Sequence, residues 1–389
     1  MLKNLQKMKH HVVTVSVCAV EKMVREIEAT GAEFIAVPEM KNMLEMKRTP
    51  YFPIIAGYSQ IERIVKEKSI DIIHAQDFHS ILRSFLAAIR LKKGFVFTQP
   101  GGPNIPKMGP KKTDTVLFSQ ENMDYHKQAG KENLHLIRAR IDTTEYYPAP
   151  IEGDFIEKGL FPASGKKIVM AVRLFETKRA FLKSVVEAAR IYANMPEPPR
   201  ICVAGEGPML SELLEESRQI NIASASGPVI RFIGPIFKPE EMARFYNYSD
   251  LVIGSGRGIL EAMACGKPVV ILGENYEAEV VGPDNIKDIA YYNFSGRHFR
   301  NRNMSCETLS DLLLRLVKDT NQMRRLGEYC LEYIRTKMDA RLGAEQLVEV
   351  YNMAVERKSV LTDLLAWYID TMYHSLLETT KKRIFAGRK

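Results

Sequence analysis

Three short stretches of this sequence place glycines and charged groups where a phosphorylated ligand could be held. The richest is GSGRGILEAMACGKPVV, residues 254–270. DLVIGS (250–255) has the length and apolar character of a buried strand, GSGRG is a glycine-rich turn, and GILEAMACG (258–266) is a short helix stopped by Gly266. Gly256 and Gly258 free the turn backbone, and the amides at the helix start, at Gly258 and Ile259, form an anion pocket. Glu261 falls in the first helical turn on this reading. It could accept hydrogen bonds from the two hydroxyls of a ribose, or simply stabilise the positive end of the helix.

The second stretch is AVRLFETKRA (171–180). Arg173 follows a strand and Lys178 comes near the next helix start. Arginine offers a planar fork and lysine a point charge, a pair suited to a diphosphate. Two solvated loop cations would show the same spacing. The third is VAGEGP (203–208), where Gly205 lets the backbone approach a ligand or makes a tight turn.

These stretches need elements to position them, and the chain alternates short β-rich runs with amphipathic helices. In the first half, strands are expected at 11–20, 33–38, 70–76, 94–100, 115–120 and 134–141, with helices at 21–31, 59–69 and 81–93. Residues 146–167 carry three prolines and three glycines, which is linker chemistry. The alternation then restarts with strands at 167–173, 199–207, 229–236, 250–255 and 267–273 and helices at 181–195, 208–221, 239–249 and 258–266. This order predicts two doubly wound α/β domains with parallel sheets, residues 1–150 and 165–345. From about Ser305 the chain reads as helical to its end, with residues 346–389 expected to return to the first domain.

Composition narrows the classes. The 389 residues suit two or three domains, and 46% hydrophobic content suits real cores. The net charge of +8 fits anionic substrates, an anionic lipid surface or nucleic acid, but no zinc-finger spacing or long basic run supports nucleic acid. Five scattered cysteines with no CxxC argue against a disulfide framework or a cysteine-rich metal site, and point to the cytoplasm. No apolar run approaches a membrane span, and the first residues lack the apolar core of a signal peptide.

LEAMACGKPVV, AVRLFETK and VAGEGP together resemble the donor-binding domain of GT-B glycosyltransferases, especially family 4, over roughly residues 165–290. The resemblance implies two Rossmann-like domains facing a cleft, with a nucleotide-diphosphate sugar as donor and no cofactor or metal. It puts Arg173 and Lys178 on the donor diphosphate and Glu261 on the nucleotide ribose, with Gly205, Gly256, Arg257, Gly258 and Ile259 lining the donor site. It implies retention of anomeric configuration. The family usually carries a second glutamate, with seven residues between the two, that helps position the donor sugar. Counting back from Glu261, that position is Ile253. The change allows another sugar, or a different loop geometry with Arg257 contributing. Glu274, Glu277 and Glu279 could supply a carboxylate from the next strand.

The first half resembles the acceptor domain more loosely, through IDIIHAQDFHSILRSFLAAI and LFSQ…RARIDTTEYYP, with Ala139 and Arg140 in place of the usual Asn-Gly. FTQPGGPN (97–104) stands where the family often has a histidine, so Gln99, Gly101 and Gly102 occupy the acceptor-side turn. His74, Asp77 and His79 are the nearest polar groups, and Asp77 and His79 are the candidates for a catalytic role. The opening LKNLQKMKHHVVTVSV looks like the end of the family's first helix and its second strand, so the first strand and its glycine loop are expected to be missing.

The tail has apolar residues at 361, 364, 365, 368, 369, 372 and 376, near helical spacing. It either packs on the protein or meets the inner face of a membrane through Trp367, Tyr368 and Tyr373 with Lys381, Lys382, Arg383, Arg388 and Lys389. The expected function is sugar transfer to the hydroxyl of a carbohydrate or lipid-linked acceptor, in polysaccharide or glycolipid synthesis. The alternatives are a nucleotide-sugar-binding scaffold without catalysis and a sugar-nucleotide epimerase.

Overall fold

A computed structural model describes residues 1–16, 19–37, 58–76, 78–99, 110–138, 140–150, 161, 165–274, 276–301, 308–357, 361–367 and 369. The chain forms two compact units, Met1–Arg138 with Arg341–Lys389, and Ala139–Ala340.

The first unit opens with α1 (Leu2–Lys7), β1 (Val13–Ser16), α2 (Glu21–Glu28) and β2 (Glu33–Ala36). β1 and β2 pair in parallel, Val13 opposite Glu33. Next come α3 (Tyr58–Glu67), β3 (Ile72–Ala75), α4 (Phe78–Leu91), β4 (Gly94–Thr98), β5 (Asp114–Leu117), α5 (Gln120–Gln128) and β6 (Leu134–Leu136). Strands β3 to β6 form a parallel sheet in that order. Every residue of β4 is buried, as an inner strand covered on both faces requires. Phe95 and Phe97 face α4, while Val96 faces the opposite cluster.

Two expectations change here. The strand expected at 134–141 stops at Leu136, because the Arg140 and Ile141 amides donate instead to the Met338 carbonyl, at 2.9 and 3.0 Å. Helix α5 was not expected, since its only strong cue is a cap: the Ser119 side chain accepts from the Asn122 amide.

The second unit contains β7 (Lys167–Ala171), α6 (Arg179–Tyr192), β8 (Arg200–Ala204), α7 (Leu210–Ala223), β9 (Ile230–Phe232), α8 (Pro239–Tyr248), β10 (Leu251–Gly254), α9 (Arg257–Ala264), β11 (Val269–Leu272), β12 (Ala278–Val280), α10 (Ile286–Tyr291), α11 (Leu309–Lys318) and α12 (Thr320–Tyr333). Its sheet runs β12-β11-β10-β7-β8-β9, with only β12 antiparallel. Side chains alternate strictly. Ile168, Met170, Ile201, Val203, Leu251, Ile253, Val270 and Leu272 pack with α6, α7 and α11. Val169, Cys202, Ala204, Val252, Val269 and Ile271 pack with α8, α9, α10 and Cys330 of α12.

The helical region expected from about 305 is broken at two points. Asp319 caps a new helix by accepting from the Gln322 amide, and α12 loosens into a wide turn at Ile334–Met338. The chain then re-enters the first unit as α13 (Ala340–Arg357). Ala344, Leu347, Val350 and Ala354 recur at helical spacing and pack with Leu5, Val96, Val116 and Ile137.

Residues 361–367 are helical, and Leu364 and Trp367 join the core made by Ile81, Phe85, Phe95 and Phe97. Trp367 is therefore a core residue, with 6% exposure, and not a membrane anchor. The other aromatic and basic residues named for membrane contact lie outside the described residues. Among the described residues no helix is long and apolar enough to cross a membrane.

His74, at the heart of the first unit, is bracketed by Tyr351 Oη at Nδ1 (2.8 Å) and Thr98 Oγ1 at Nε2 (2.7 Å). Burial pushes its pKa down from 6.5 to about 4. The folded state thus holds it neutral where the unfolded chain binds a proton. Its contribution is intact above pH ~6.5 and is lost as pH falls toward ~4, by up to about 3 kcal/mol. His74→Asn is expected to flatten the fall of melting temperature between pH 7 and 4.5. An unchanged slope would contradict this account.

A second expectation concerns Gly205, at φ 159° on the turn after β8. A Cβ there would lie 1.9 Å from the Val172 carbonyl oxygen. Gly205→Ala is expected to cost more than about 2 kcal/mol, measured by urea unfolding.

Candidate functional site

In an open α/β sheet, ligands bind beyond the carboxyl ends of the strands, where the winding reverses. Here that place lies between β7 and β10. The helix after β7 covers one face and the helix after β10 covers the other. Arg173, Lys178, Gly256, Arg257 and Gly258 all come from these two connections, so their gathering follows from topology.

The turn after β7 is tightly held. The Val172 amide donates to Ala204 and the Leu174 amide to Glu206, both at 2.9 Å. Gly207, at φ 152°, lets its turn press against Leu174, whose carbonyl oxygen would lie 2.4 Å from a Cβ. Arg173 is thereby exposed between two buttressed residues. Gly205 serves this packing. Its amide donates to the Gly234 carbonyl at 2.8 Å, so what the structure shows at Gly205 is support for the turn.

Four cations cluster at the start of α6, and their ion pairs sort them. Arg179 pairs with Glu176 (2.5 Å) and Glu212 (2.7 Å). Lys183 pairs with Glu212 (2.7 Å) and Glu216. Arg173 and Lys178 have no such partner among the described residues. Lys178 lies over the Phe181 ring at 5.2 Å. Burial lowers its pKa and Arg297 pushes the same way, while Glu274 opposes them.

The turn after β10 has only two residues, Ser255 and Gly256. Gly256 takes φ 74° and donates its amide to the Phe294 carbonyl at 2.5 Å. The helix begins at Arg257, one residue earlier than expected. Glu261 is thus the fifth helical residue and lies beyond the first turn, so stabilising the helix start is not its role. The first-turn amides of Arg257, Gly258 and Ile259 have no intrahelical acceptor and remain suited to an anion. Ile253 is buried inside β10 among the aliphatic side chains facing α6. The count of eight residues back from Glu261 thus runs into the strand.

Glu261 is a buried carboxylate with two partners. Arg257 Nε donates to Oε1 at 2.7 Å, and Tyr246 Oη donates to Oε2 at 3.4 Å. Burial and the Glu261 charge both raise the Tyr246 pKa well above its usual value, and do the same at Tyr146. The ring centroids of the two tyrosines lie 6.4 Å apart. The order Arg then Glu is the weaker arrangement of an i,i+4 pair.

Sequence reading missed a second layer, residues 292–300. Asn293 and Phe294 both sit in the left-handed region, at φ 54° and 58°. This hook buries the Phe294 ring and turns its carbonyl toward Gly256. Asn293 Oδ1 accepts from Arg140 Nη2 at 2.7 Å. Burial, then the nearby Arg257, lower the Arg140 pKa to about 10. Arg297 is buried and felt electrostatically at Lys178. The only sequence cue was the basic spacing in GRHFR (296–300).

The three glutamates after β11 separate clearly. Glu274 is exposed, held by Arg300 at 2.6 Å and felt at Lys178. Glu279 pairs with buried His298 at 3.1 Å. Glu277 folds back on Gly273, within 2.3 Å of where a Cβ would stand.

On the first unit, Gln99 is buried beyond β4 and its amide donates to Val116 at 3.0 Å. His79 lies in the first turn of α4, and its side chain is outside what is described. Asp77, Gly101 and Gly102 lie outside the described residues.

Residues 152–332 match the family model for glycosyl transferases group 1. No curated protein matches the chain. Among solved structures, a glycosyltransferase from Rickettsia africae is similar at TM-score 0.67 and 16% identity, covering 91% of this chain and 93% of that one. Anabaena HepE, solved with UDP and glucose, gives 0.61 and 13%, covering 90% and 94%. Sucrose-phosphate synthase from Thermosynechococcus elongatus gives 0.59 and 15%, covering 92% of each. The shared fold is the two-unit α/β GT-B architecture with a helical C-terminal region. The group 1 domain marks the protein as a glycosyltransferase.

Gly258 tests the carboxylate's setting. A Cβ there would lie 3.0 Å from Tyr246 Oη, the hydroxyl that donates to Glu261 Oε2. Gly258→Ala is expected to lower nucleotide affinity roughly tenfold, with less than ~1 kcal/mol lost in stability. Calorimetric titration with UDP, GDP and ADP beside urea unfolding reads both. A stability loss without an affinity loss would refute the assignment.

Proposed function

We propose that the protein moves a sugar from a nucleotide-diphosphate sugar to a hydroxyl of a carbohydrate or lipid-linked acceptor, in the manner of family 4 retaining enzymes. The observation that carries this is the sorting of cations beside α6. Arg179 and Lys183 are taken up by carboxylates, while Arg173 and Lys178, on the connection after β7, have no ion-pair partner among the described residues.

In this reading the donor diphosphate lies between Arg173, Lys178 and the first-turn amides of α9. Its ribose hydroxyls donate to Glu261. As the bond from the sugar to the diphosphate breaks, negative charge grows on the departing phosphate oxygen. Fixed cations and amides stabilise that charge without having to reorganise. With two protein cations and a helix start supplying the charge, transfer is expected to proceed in EDTA. The neighbour HepE was solved with UDP-glucose, which supports a nucleotide sugar of this class.

Arg173→Ala and Lys178→Ala are each expected to lower turnover by a factor of ~100 or more. Release of nucleoside diphosphate, followed with a panel of nucleotide sugars with and without acceptor, measures this. Unchanged turnover in both variants would defeat the assignment. Diphosphate release from the intact protein that does not depend on acceptor would point to an epimerase.

A further inference from the structure

The Arg257–Glu261 pair occupies the carboxylate that the proposed function gives to the ribose, so the inference below rests on that reading. Arg257 Nε on Oε1 and Tyr246 Oη on Oε2 each take one of the carboxylate's acceptor sites, and ribose hydroxyls compete with Arg257 for Oε1. Four features decide which one yields.

The arginine side chain is 62% exposed and the glutamate 11%, so the arginine is the member free to move. Arg257 is the first residue of α9, where the helix dipole disfavours a cation, and the order Arg then Glu is the weaker arrangement of an i,i+4 pair. Tyr246 still holds Oε2 after Arg257 leaves, so the carboxylate keeps a partner and its place. Beside Arg257, a Cβ on Gly256 would meet nothing within 4 Å, so the space next to the start of α9 is open. The first-turn amides of α9, which suit an anion, lie at this same helix start.

We propose that Arg257 exchanges partners on donor binding. In the empty site it neutralises Glu261; when ribose hydroxyls take the carboxylate, its guanidinium turns to the donor diphosphate. Occupying the ribose pocket thereby adds a third cation to Arg173 and Lys178. Binding of the nucleoside part and stabilisation of the leaving group become coupled through one side chain. A nucleoside without phosphates has to displace Arg257 and offers it nothing in return. A nucleoside diphosphate displaces it and takes it up.

The test compares nucleoside with nucleoside diphosphate, using the intact protein and the pairs uridine/UDP, guanosine/GDP and adenosine/ADP. Calorimetry gives the affinity ratio within the pair that binds. Arg257→Gln is expected to weaken the diphosphate roughly tenfold while leaving the nucleoside equal or a few-fold tighter, so the ratio collapses. Arg257→Lys should restore part of the diphosphate affinity. Equal weakening of both ligands, which a merely structural role would give, overturns the proposal, and so does an unchanged ratio. Arg173→Ala keeps the two ideas apart. If it abolishes UDP binding while Arg257→Gln changes nothing, the donor site stands and the exchange does not. If the unaltered protein binds none of the three diphosphates, the donor-site assignment fails and the exchange with it.

Discussion

The close approach of the turn after β8 to the turn after β7 is the constraint on which the rest depends. Val172 and Leu174 are stitched to Ala204 and Glu206, and their carbonyls press on two glycines that cannot accept a Cβ. This fixes where the chain leaves the sheet between β7 and α6. Because α6 and α9 cover opposite faces, the two connections open a crevice between β7 and β10. Exposed Arg173 sits between these two bonded residues, with no ion pair among the described residues. A cation without a carboxylate partner stays available for a ligand. One locked to a glutamate, as Arg179 is, would first have to be released.

Burying Glu261 is the second demand. An isolated carboxylate shielded from water is costly unless it is paired and hydrogen-bonded. Arg257 supplies charge and Tyr246 supplies a hydrogen bond, but at 3.4 Å the latter is long and the former comes from an exposed side chain. The carboxylate is held in position with acceptor capacity in reserve. Gly258 belongs to the same arrangement, since any side chain there would crowd the Tyr246 hydroxyl.

Much of this was legible in the sequence. Strict alternation in β7, β8, β10 and β11 and the glycine-punctuated LEAMACG run are local signals, and the structure reproduces the elements they predict. Elsewhere the deciding partners are distant. Ending β6 at Leu136 depends on Met338. The helix α5 is too polar to show a stripe, and only its Ser119 cap marks it. The hook at Asn293 and Phe294 uses left-handed backbone at two successive residues, of which only Asn293 is of a type that favours it. Trp367 looked like an interfacial anchor because its sequence neighbours are basic and aromatic. Its burial depends on Phe85 and Phe95, almost three hundred residues earlier.

The position eight residues before Glu261 is Ile253, where the expected second glutamate has no counterpart. With only Ser255 and Gly256 between β10 and α9, the same count lands inside β10, on the face packed against α6. A glutamate there would be buried among isoleucine, leucine and valine side chains with no partner, a placement costing several kcal/mol. The turn itself, Ser255 and Gly256, carries no acid either. Beyond β11, which pairs directly with β10, Glu274 is the exposed carboxylate whose charge reaches Lys178, and Arg300 holds it in place.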